Sequence, residues 1–241
     1  MSNRIIAFQG EHGAFSQRAA WQVFGADAKT KPCPSFDAVF EAVEKDAHVY
    51  GMIPVENTLG GSVHENYDLL REHGVNIVGE THLRVVHHLI ALHGTRAEDV
   101  RRIYTHPQAA AQCMKFLRKH PEWALYQVYD TAGAAKLIRD ENIQDGAAIA
   151  SERTARNFDM QVLASEIESH PRNFTRFFII HREAEPLKTA DKVSLVYGAK
   201  DEPGALLDTL QVFHKHRLNL VKLESRPIPG KPWEYLFYVD I

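Results

Sequence analysis

The sequence predicts an α/β protein with a large domain of two lobes, in which helices cover β-sheets, followed by a smaller α+β domain. Between residues 1 and 160, short apolar runs are repeatedly followed by a turn rich in glycine or hydroxyl residues and then by an amphipathic segment. Such repeats are typical of parallel sheets with helices on their faces. The pattern changes after a polar stretch. We therefore expect a first domain over residues 1–182, a linker over 183–191 and a second domain over 192–241.

The composition excludes several classes of protein. A net charge of −3 gives no basic surface for nucleic acid or for an anionic membrane. No apolar run approaches the ~18 residues that span a bilayer, and no charged segment followed by an apolar one opens the sequence. We therefore expect a cytoplasmic protein. The 14 histidines show no metal-binding spacing, and Cys33 and Cys113 have the character of core thiols, so no metal site is expected.

The stretch from Pro54 to Val63 carries the strongest sign of a ligand site. An apolar run over residues 50–55 predicts a buried strand that ends near Pro54. The polar and glycine residues that follow it are Glu56, Asn57, Thr58, Gly60, Gly61 and Ser62. Ser62 and Glu65 have the spacing of a capping box, which predicts a helix start. Ligands of open α/β sheets bind at such strand ends, although a well-capped turn without a ligand is the alternative.

Hydroxyl side chains recur at the predicted strand-to-helix turns. They are Ser16, Ser62, Thr105, Thr131 and Ser151. Each one alone is usually a helix cap, but several that face one crevice predict an anion pocket rich in hydrogen-bond donors. Gln108 and Gln112 lie four positions apart on the helix that follows Thr105, and for this pair taken alone we favour solvated surface.

A second polar stretch enters the buried strand that closes the first domain. Asn173 and Thr175 share one face of this strand, and Arg176 points to the other. A hydroxyl at such a position usually satisfies backbone groups, since a nucleophile would need a base beside it. Arg176 is either a ligand clamp or part of a structural ion pair, and we slightly favour the ion pair.

The region after residue 192 has the order β-α-β-β, which is two thirds of a ferredoxin-like unit. The second helix and the fourth strand of that unit are absent from the sequence. One sheet face would then be bare, which predicts burial by a partner chain or by residues beyond this sequence.

These motifs together resemble the prephenate dehydratases over essentially the whole chain. The resemblance rests on Gly10-x-x-Gly13-x-Phe15-Ser16, on the Pro54–Val63 stretch, on Thr105-His-Pro-Gln108 and on Thr175-Arg176-Phe177. The carboxyl-terminal region resembles an ACT regulatory domain that stops short. The resemblance implies a two-lobed core similar to periplasmic binding proteins. No chorismate mutase segment precedes residue 4, so the monofunctional form is expected. Thr105 replaces the serine of many members and keeps the hydroxyl.

The resemblance implies a carbon–oxygen lyase that converts prephenate to phenylpyruvate in phenylalanine biosynthesis, without a cofactor. Thr175 would be the leading catalytic residue, assisted by Asn57, and Glu56 could supply the proton if its carboxyl is buried. The implied substrate-binding residues are Ser16, Thr58, Gly60, Gly61, Ser62, Thr105, Gln108, Gln112, Arg176 and Phe177.

The resemblance also implies feedback inhibition by phenylalanine and assembly into a homodimer or homotetramer. The implied phenylalanine site consists of Gly204, Ala205, Leu206, Leu207, Asn219, Glu224, Ser225, Arg226 and Pro227. Three alternatives stay open. They are an arogenate dehydratase, a non-catalytic module that binds small anions, and an amino-acid-sensing regulator. No helix-turn-helix motif or basic patch in the sequence supports the regulator.

Overall fold

The computed structural model describes residues 4–184, 191–228, 230–231 and 233–241. The chain divides into two compact units, Met1–Glu185 and Pro186–Ile241. This division falls within the predicted linker over 183–191, most of which lies outside the described residues.

The first unit alternates strands and helices. Its strands are β1 (Ile5–Gln9), β2 (Lys29–Cys33), β3 (Val49–Asn57), β4 (Gly61–Ser62), β5 (Asn76–Arg84), β6 (His88–Ala91), β7 (Arg102–Thr105), β8 (Ala124–Gln127), β9 (Gly146–Ala150), β10 (Gln161–Ala164) and β11 (Phe174–His181). Its helices are α1 (Phe15–Phe24), α2 (Phe36–Lys45), α3 (His64–Glu72), α4 (Pro107–Gln112), α5 (Met114–Leu117), α6 (Thr131–Asp140) and α7 (Glu152–Asn157), with a 3-10 turn at Ala97–Asp99.

The first lobe is built on a sheet with the strand order β2-β1-β3-β11-β5, and β4 pairs with β3. β1 runs parallel to β2 and β3, whereas β11 is antiparallel to both of its neighbours. Ile6, Phe8 and Met52 are fully buried in the core of this lobe, where Ala19 and Ala20 of α1 pack. The small alanine side chains let the helix lie close to the strands.

The second lobe is built on a sheet with the strand order β10-β6-β9-β7-β8. β7 runs parallel to β8 and β9, and the pairs formed by β6 are antiparallel. The chain crosses from the first sheet to the second between β5 and β6 and returns between β10 and β11. The predicted two-lobed α/β fold is therefore confirmed, but both sheets are mixed rather than parallel, and the short strand β10 was not predicted.

Two predictions around residues 54–65 are wrong. Pro54 does not end its strand, because β3 continues to Asn57 and Pro54 faces Phe177 where the ladder register shifts. A missing N–H group costs least at such an irregularity. Ser62 does not cap a helix with Glu65, since it pairs in β4 and α3 begins after Val63 without a side-chain cap.

The helix predicted after Pro107 is interrupted at Cys113, which lies between α4 and α5 with φ −105° and ψ 14°. The carbonyl of Gln112 accepts a hydrogen bond from the N–H of Ser169 at 2.6 Å, and the N–H of Lys115 donates to the Ser169 hydroxyl at 3.1 Å. Ser169 belongs to the segment that returns the chain to the first lobe. The hydrogen bonds to Ser169 replace those that would continue the helix through Cys113.

The second unit contains β12 (Ser194–Gly198), α8 (Ala205–Lys215), β13 (Lys222–Pro227) and β14 (Tyr235–Asp240), with the antiparallel strand order β12-β14-β13. This confirms the predicted β-α-β-β order. Trp233 precedes β14 and is 76% exposed. A turn over residues 229–232 is expected from its two prolines, glycine and lysine, and both prolines lie outside the described residues. Within the described part of the chain, no helix has the length and apolar character needed to cross a bilayer.

Candidate active site

A cavity of about 350 Å³ lies between the two sheets of the first unit. The turns that precede α1, α4 and α6 bring their helix starts to this cleft. Its polar lining residues are Gln9, Ser16, Ser62, His64, Glu65, His87, His106, Gln108, Gln112, Tyr129, Asp130, Thr131 and Thr175. The helix starts of α1, α3, α4 and α6 and several neutral donors around one cavity favour the binding of an anion.

Thr175 lies at the start of β11, directly opposite Asn57 of β3. The side-chain nitrogen of Asn57 donates to Thr175 Oγ1 at 2.9 Å. The oxygen of the same amide accepts from the N–H groups of Leu59 and Gly60 at 2.9 and 2.8 Å. Because Oγ1 of Thr175 accepts from Asn57, its own hydrogen is available to a molecule in the cleft.

A chain of buried amides continues from Asn57 to the second lobe. Asn57 Nδ2 donates to Asn173 Oδ1 at 2.7 Å, and Asn173 Nδ2 donates to Gln112 Oε1 at 2.9 Å. Nε2 of His87 lies 2.8 Å from the same oxygen. Burial lowers the pKa of His87, because a charged imidazole would lose its hydration there.

A second set of contacts joins the lobes through Asp130. Its carboxylate caps α6 by accepting from the N–H groups of Ala132 and Gly133, and it accepts from the N–H of Glu11 at 2.9 Å. A Cβ atom at Gly10 would lie 2.8 Å from Asp130 Oδ2, and Gly10 has φ +107°. Burial raises the pKa of Asp130, whereas these backbone hydrogen bonds lower it.

Comparison with known sequences identifies the family of this fold and cleft. A sequence model described as prephenate dehydratase matches residues 6–185. The chain belongs to the prephenate dehydratase family. A second sequence model, described as the ACT domain, matches residues 193–241.

Individual relatives agree with this family. Arogenate dehydratase/prephenate dehydratase 2 of Arabidopsis thaliana is 42% identical over 98% of this chain and 64% of its own length. The structure of prephenate dehydratase from Arthrobacter aurescens in complex with L-Phe has a TM-score of 0.86 and 32% identity, covering 98% of this chain and 79% of that one. A structure described as a novel type of quorum-quenching acylase has a TM-score of 0.85 and 33% identity, covering 98% and 86%.

The chain spans 63–65% of the length of the first curated relatives that it matches. The fold expected from resemblance to prephenate dehydratases, an α/β core of two lobes followed by an ACT domain, is confirmed.

The structure brings many of the residues expected from the prephenate dehydratase resemblance to the cleft. Those that line it are Ser16, Ser62, Gln108, Gln112, Thr175 and Phe177. Asn57 lies behind them and bonds Thr175. A Cβ atom at Gly60 would lie 3.7 Å from Gln112 Nε2, so Gly60 borders the amide of the opposite lobe.

Three of the expected residues, Thr105, Thr58 and Gly61, are not among the residues that line the cleft. Thr105 Oγ1 donates to the carbonyl of Ile149 at 3.0 Å and is buried within the second lobe. Thr58 Oγ1 donates to the Arg172 carbonyl at 2.8 Å and so ties the glycine turn to the start of β11. Gly61 has φ +75° and open space around the position of a Cβ, which fits a turn residue.

Glu56 and Arg176 lie apart from the cleft. Because successive residues of a strand point to opposite faces, Glu56 and Arg176 pair on the face away from Thr175. Arg176 binds Glu80 at 2.6 Å, and neither side chain lines the cleft. The Glu56 side chain is 42% exposed, so the burial required of a proton donor is absent. The contacts of Arg176 fit the structural ion pair.

Sequence reasoning missed several residues of the cleft. They are Gln9, His64, His87, His106, Tyr129 and Asp130. His106 and Asp130 occupy strand-to-helix turns, the signal that selected Thr105 and Thr131. The sequence offered no comparable signal for His87, which lies in the connection between β5 and β6.

A second cavity, of about 320 Å³, lies in the ACT unit of this family member. Gly204, Ala205, Leu206 and Leu207 line it, together with Trp233, Tyr235 and Phe237. The other residues expected at a phenylalanine site, Asn219, Glu224, Ser225, Arg226 and Pro227, are not among its lining. Glu224 forms an ion pair of 2.9 Å with Lys222, and Ser225 pairs with Phe237 in the sheet.

The described residues contain no group of three or more histidine, cysteine, aspartate or glutamate side chains that could hold a metal ion. The polar side chains that line the cleft are amides, hydroxyls, imidazoles and the carboxylates of Glu65 and Asp130.

Proposed function

We propose that the chain catalyses the decarboxylating dehydration of prephenate to phenylpyruvate. The observation that carries this proposal is the hydroxyl of Thr175, which accepts from Asn57 and lines the interlobe cleft, so that its own hydrogen is free to bond a substrate there. Membership of the prephenate dehydratase family supports it.

The reaction breaks two bonds of the substrate ring. The carbon–carbon bond to the ring carboxylate breaks, its electron pair completes the aromatic ring, and the ring hydroxyl takes up one proton from solvent and leaves as water. The products are phenylpyruvate, carbon dioxide and water. Thr175 donates a hydrogen bond to the departing hydroxyl and so stabilises the charge that develops on that oxygen. An alcohol is a poor acid, so this residue orients the leaving group rather than supplying the proton.

The cleft suits a substrate that must lose a carboxylate. No lysine or arginine is found among the described residues that line it. A tight ion pair would stabilise the ring carboxylate before it leaves, and it would raise the barrier. Neutral donors hold the dianion without this cost. Gln108, Gln112 and Ser16 are the donors that we assign to its carboxylates.

The assay for this function is the appearance of phenylpyruvate, followed by its ultraviolet absorbance in alkali. Thr175→Ala should lower kcat by roughly 10²–10⁴-fold, and Thr175→Ser should retain most of it. Thr95→Ala is the matched control, because Thr95 is a buried threonine that bonds the Gln144 carbonyl away from the cleft. Binding of prephenate without turnover by the unmodified protein would instead favour the anion-binding module.

Arogenate is the second candidate substrate. It carries an ammonium group where prephenate has a ketone, and two acidic side chains, Glu65 and Asp130, line the cleft. The name of the Arabidopsis relative includes both activities. The ratio of kcat/KM for the two substrates decides between them. If Glu65 binds the ammonium, Glu65→Gln should lower kcat/KM for arogenate about tenfold and leave that for prephenate unchanged.

An acylase is less compatible with the site. Acyl transfer by Thr175 would require a base at its hydroxyl, but the described partner of Oγ1 is the amide nitrogen of Asn57. An amide nitrogen cannot accept a proton.

We further propose that phenylalanine binds the ACT unit and inhibits the reaction. The cavity beside Gly204 and Leu207 and the L-Phe complex of the Arthrobacter relative support this assignment. Phenylalanine should raise Tm and lower turnover, since a ligand selective for the native state stabilises it. A Tm that does not change in millimolar phenylalanine would contradict the proposal that the ACT unit binds this amino acid.

The proposal includes self-association and a cytoplasmic site of action. Exposed apolar side chains of the ACT unit, among them Val196, Val212 and Leu223, suit an interface between copies. Light scattering coupled to gel filtration would distinguish a homodimer or homotetramer from a monomer. Cell fractionation tests the location.

A further inference from the structure

The orientation of the amides beside the cleft follows from two backbone groups. The N–H groups of Leu59 and Gly60 donate to one side-chain atom of Asn57, so that atom is the amide oxygen. The Asn57 nitrogen therefore donates to Asn173, whose accepting atom is its own amide oxygen. The remaining nitrogen of Asn173 donates to Gln112, which accepts through Oε1. Each step leaves one orientation for the next amide.

The last amide in this chain fixes the tautomer of His87. Oε1 of Gln112 can only accept, and it lies 2.8 Å from Nε2 of His87, so Nε2 carries the imidazole proton. Nδ1 then presents a lone pair, and this atom is buried with no hydrogen-bond partner among the described residues. A second proton at Nδ1 would have no acceptor, so the neutral ring is favoured.

The surroundings of His87 hold its ring in place. The side chain belongs to the first connection between the lobes and is buried, with a residue exposure of 2%. Its ring packs edge-on against Phe15 of α1, with centroids 5.2 Å apart and an angle of 84°. Its backbone N–H donates to Glu168 Oε2 at 3.1 Å.

Because Oε1 of Gln112 accepts from both Asn173 and His87, the NH₂ group of the same amide points away from these two residues. Gln112 lines the cleft, and its Nε2 lies 3.7 Å from the place that a Cβ at Gly60 would occupy. No acceptor for Nε2 is found in the described part of the chain.

We propose that His87 is a positioning residue, which acts with Asn173 to hold Gln112 with its NH₂ group toward the cleft, where this group donates to a carboxylate of the substrate. The inference rests on the proposed dehydratase function. It assigns His87 no contact with the reacting atoms.

The kinetic test compares two substitutions of His87. His87→Leu keeps an apolar bulk but removes the donor, which frees the Gln112 amide to rotate, so KM for prephenate should rise about tenfold with kcat changed less than about threefold. His87→Gln places a side-chain N–H about where Nε2 of His87 lies, so that it can donate to Gln112. This variant should return KM to within about threefold of the unmodified protein. A His87→Gln enzyme as impaired as His87→Leu would overturn the proposal.

A double-mutant cycle separates positioning from direct contact. In a Gln112→Ala background, His87→Leu should produce no further loss, because the group that His87 positions is gone. Losses that multiply instead would overturn the proposal, since they would mean that His87 acts on the substrate itself. His88→Gln is the matched control, since His88 is the adjacent histidine and does not line the cleft.

A measurement without substrate keeps this inference separate from the proposed activity. Long-range proton–nitrogen NMR of the uniformly labelled chain should show one neutral imidazole in the Nε2–H form that disappears in His87→Gln. An Nδ1–H or charged His87 at neutral pH would overturn the inference whatever the chain catalyses. If the chain shows the Nε2–H tautomer but does not turn over prephenate, the proposed function is overturned. The inference that His87 positions Gln112 would still stand.

Discussion

Nδ2 of Asn57 lies 2.9 Å from Oγ1 of Thr175, although 118 positions separate the two residues in the sequence. The contact exists because β11 inserts between β3 and β5, with Thr175 opposite Asn57 and Leu83. The same Asn57 amide accepts from the backbone of the glycine turn. One side chain therefore fixes both the hydroxyl and the turn beside it.

Asn57→Asp tests this double role. A carboxylate keeps the acceptors for Leu59 and Gly60 but removes the donor to Thr175, so the hydroxyl would turn its hydrogen toward that carboxylate and away from the cleft. We expect kcat to fall by roughly 10²-fold, the scale of losing one oriented donor. Steady-state turnover of prephenate measures the effect. Asn76→Asp is the control, because Asn76 donates to the Arg182 carbonyl at the sheet edge. Equal kcat in the two variants would contradict the role of Asn57.

Glu56→Gln tests whether Glu56, which lies apart from the cleft, takes part in the reaction. Glu56 lies on the sheet face away from Thr175, half-exposed and 4.0 Å from Arg176. Loss of its charge removes a weak ion pair and leaves the cleft unchanged, so kcat should stay within about threefold. A fall of kcat by two orders of magnitude at unchanged Tm would restore Glu56 as a proton donor.

The sequence predicted those site residues whose position depends on local structure. Ser16 and Thr131 follow strands and open helices, and parallel strands bring such turns to one edge of a sheet. Gln108 lines the same cleft, although its helical spacing alone favoured solvated surface. Glu56 could not be assigned in this way. The sheet face on which Glu56 lies depends on where β3 ends, and an expected end near Pro54 made Glu56 and Asn57 equivalent loop residues. Continuation of the strand to Asn57 sends them to opposite faces.

Other parts of the site depend on contacts between the lobes. Asp130 matters because the N–H of Glu11 reaches it from the first lobe, and no local pattern encodes that approach. His87 stands next to His88 in an apolar run, which predicts opposite faces but not which face meets the cleft. The antiparallel strands β10 and β11 return the chain between sheets, a feature that repeated strand–helix patterns do not show.

Gly10→Ala tests the approach between Gly10 and Asp130. A methyl group at this position would lie 2.8 Å from Asp130 Oδ2, on a backbone with φ +107°. Gly25→Ala is the matched control, since Gly25 has φ +95° but open space around the same position. Both variants carry the cost of a positive φ, of about 1–3 kcal/mol. Gly10→Ala should lower the free energy of unfolding further, by at least ~1 kcal/mol, in urea titrations. Equal losses would show that Asp130 moves aside freely.

The stability of the protein toward acid should depend on His87. Burial lowers the pKa of His87 below the value of 6.5 of the free side chain. Between the pKa of His87 in the folded chain and its pKa in the unfolded chain, His87 binds a proton in the unfolded chain but not in the folded one. The free energy of unfolding therefore falls as the pH drops through 6.5. Each unit by which the folded pKa lies below the unfolded pKa contributes about 1.4 kcal/mol to this loss.

His87→Gln removes the titrating group and keeps the donor to Gln112. Urea unfolding at about pH 7.5 and about pH 5.5 should therefore show a smaller loss in His87→Gln than in the unmodified protein. Because the other titrating groups are the same in both proteins, an equal loss would mean that His87 is protonated in the folded state.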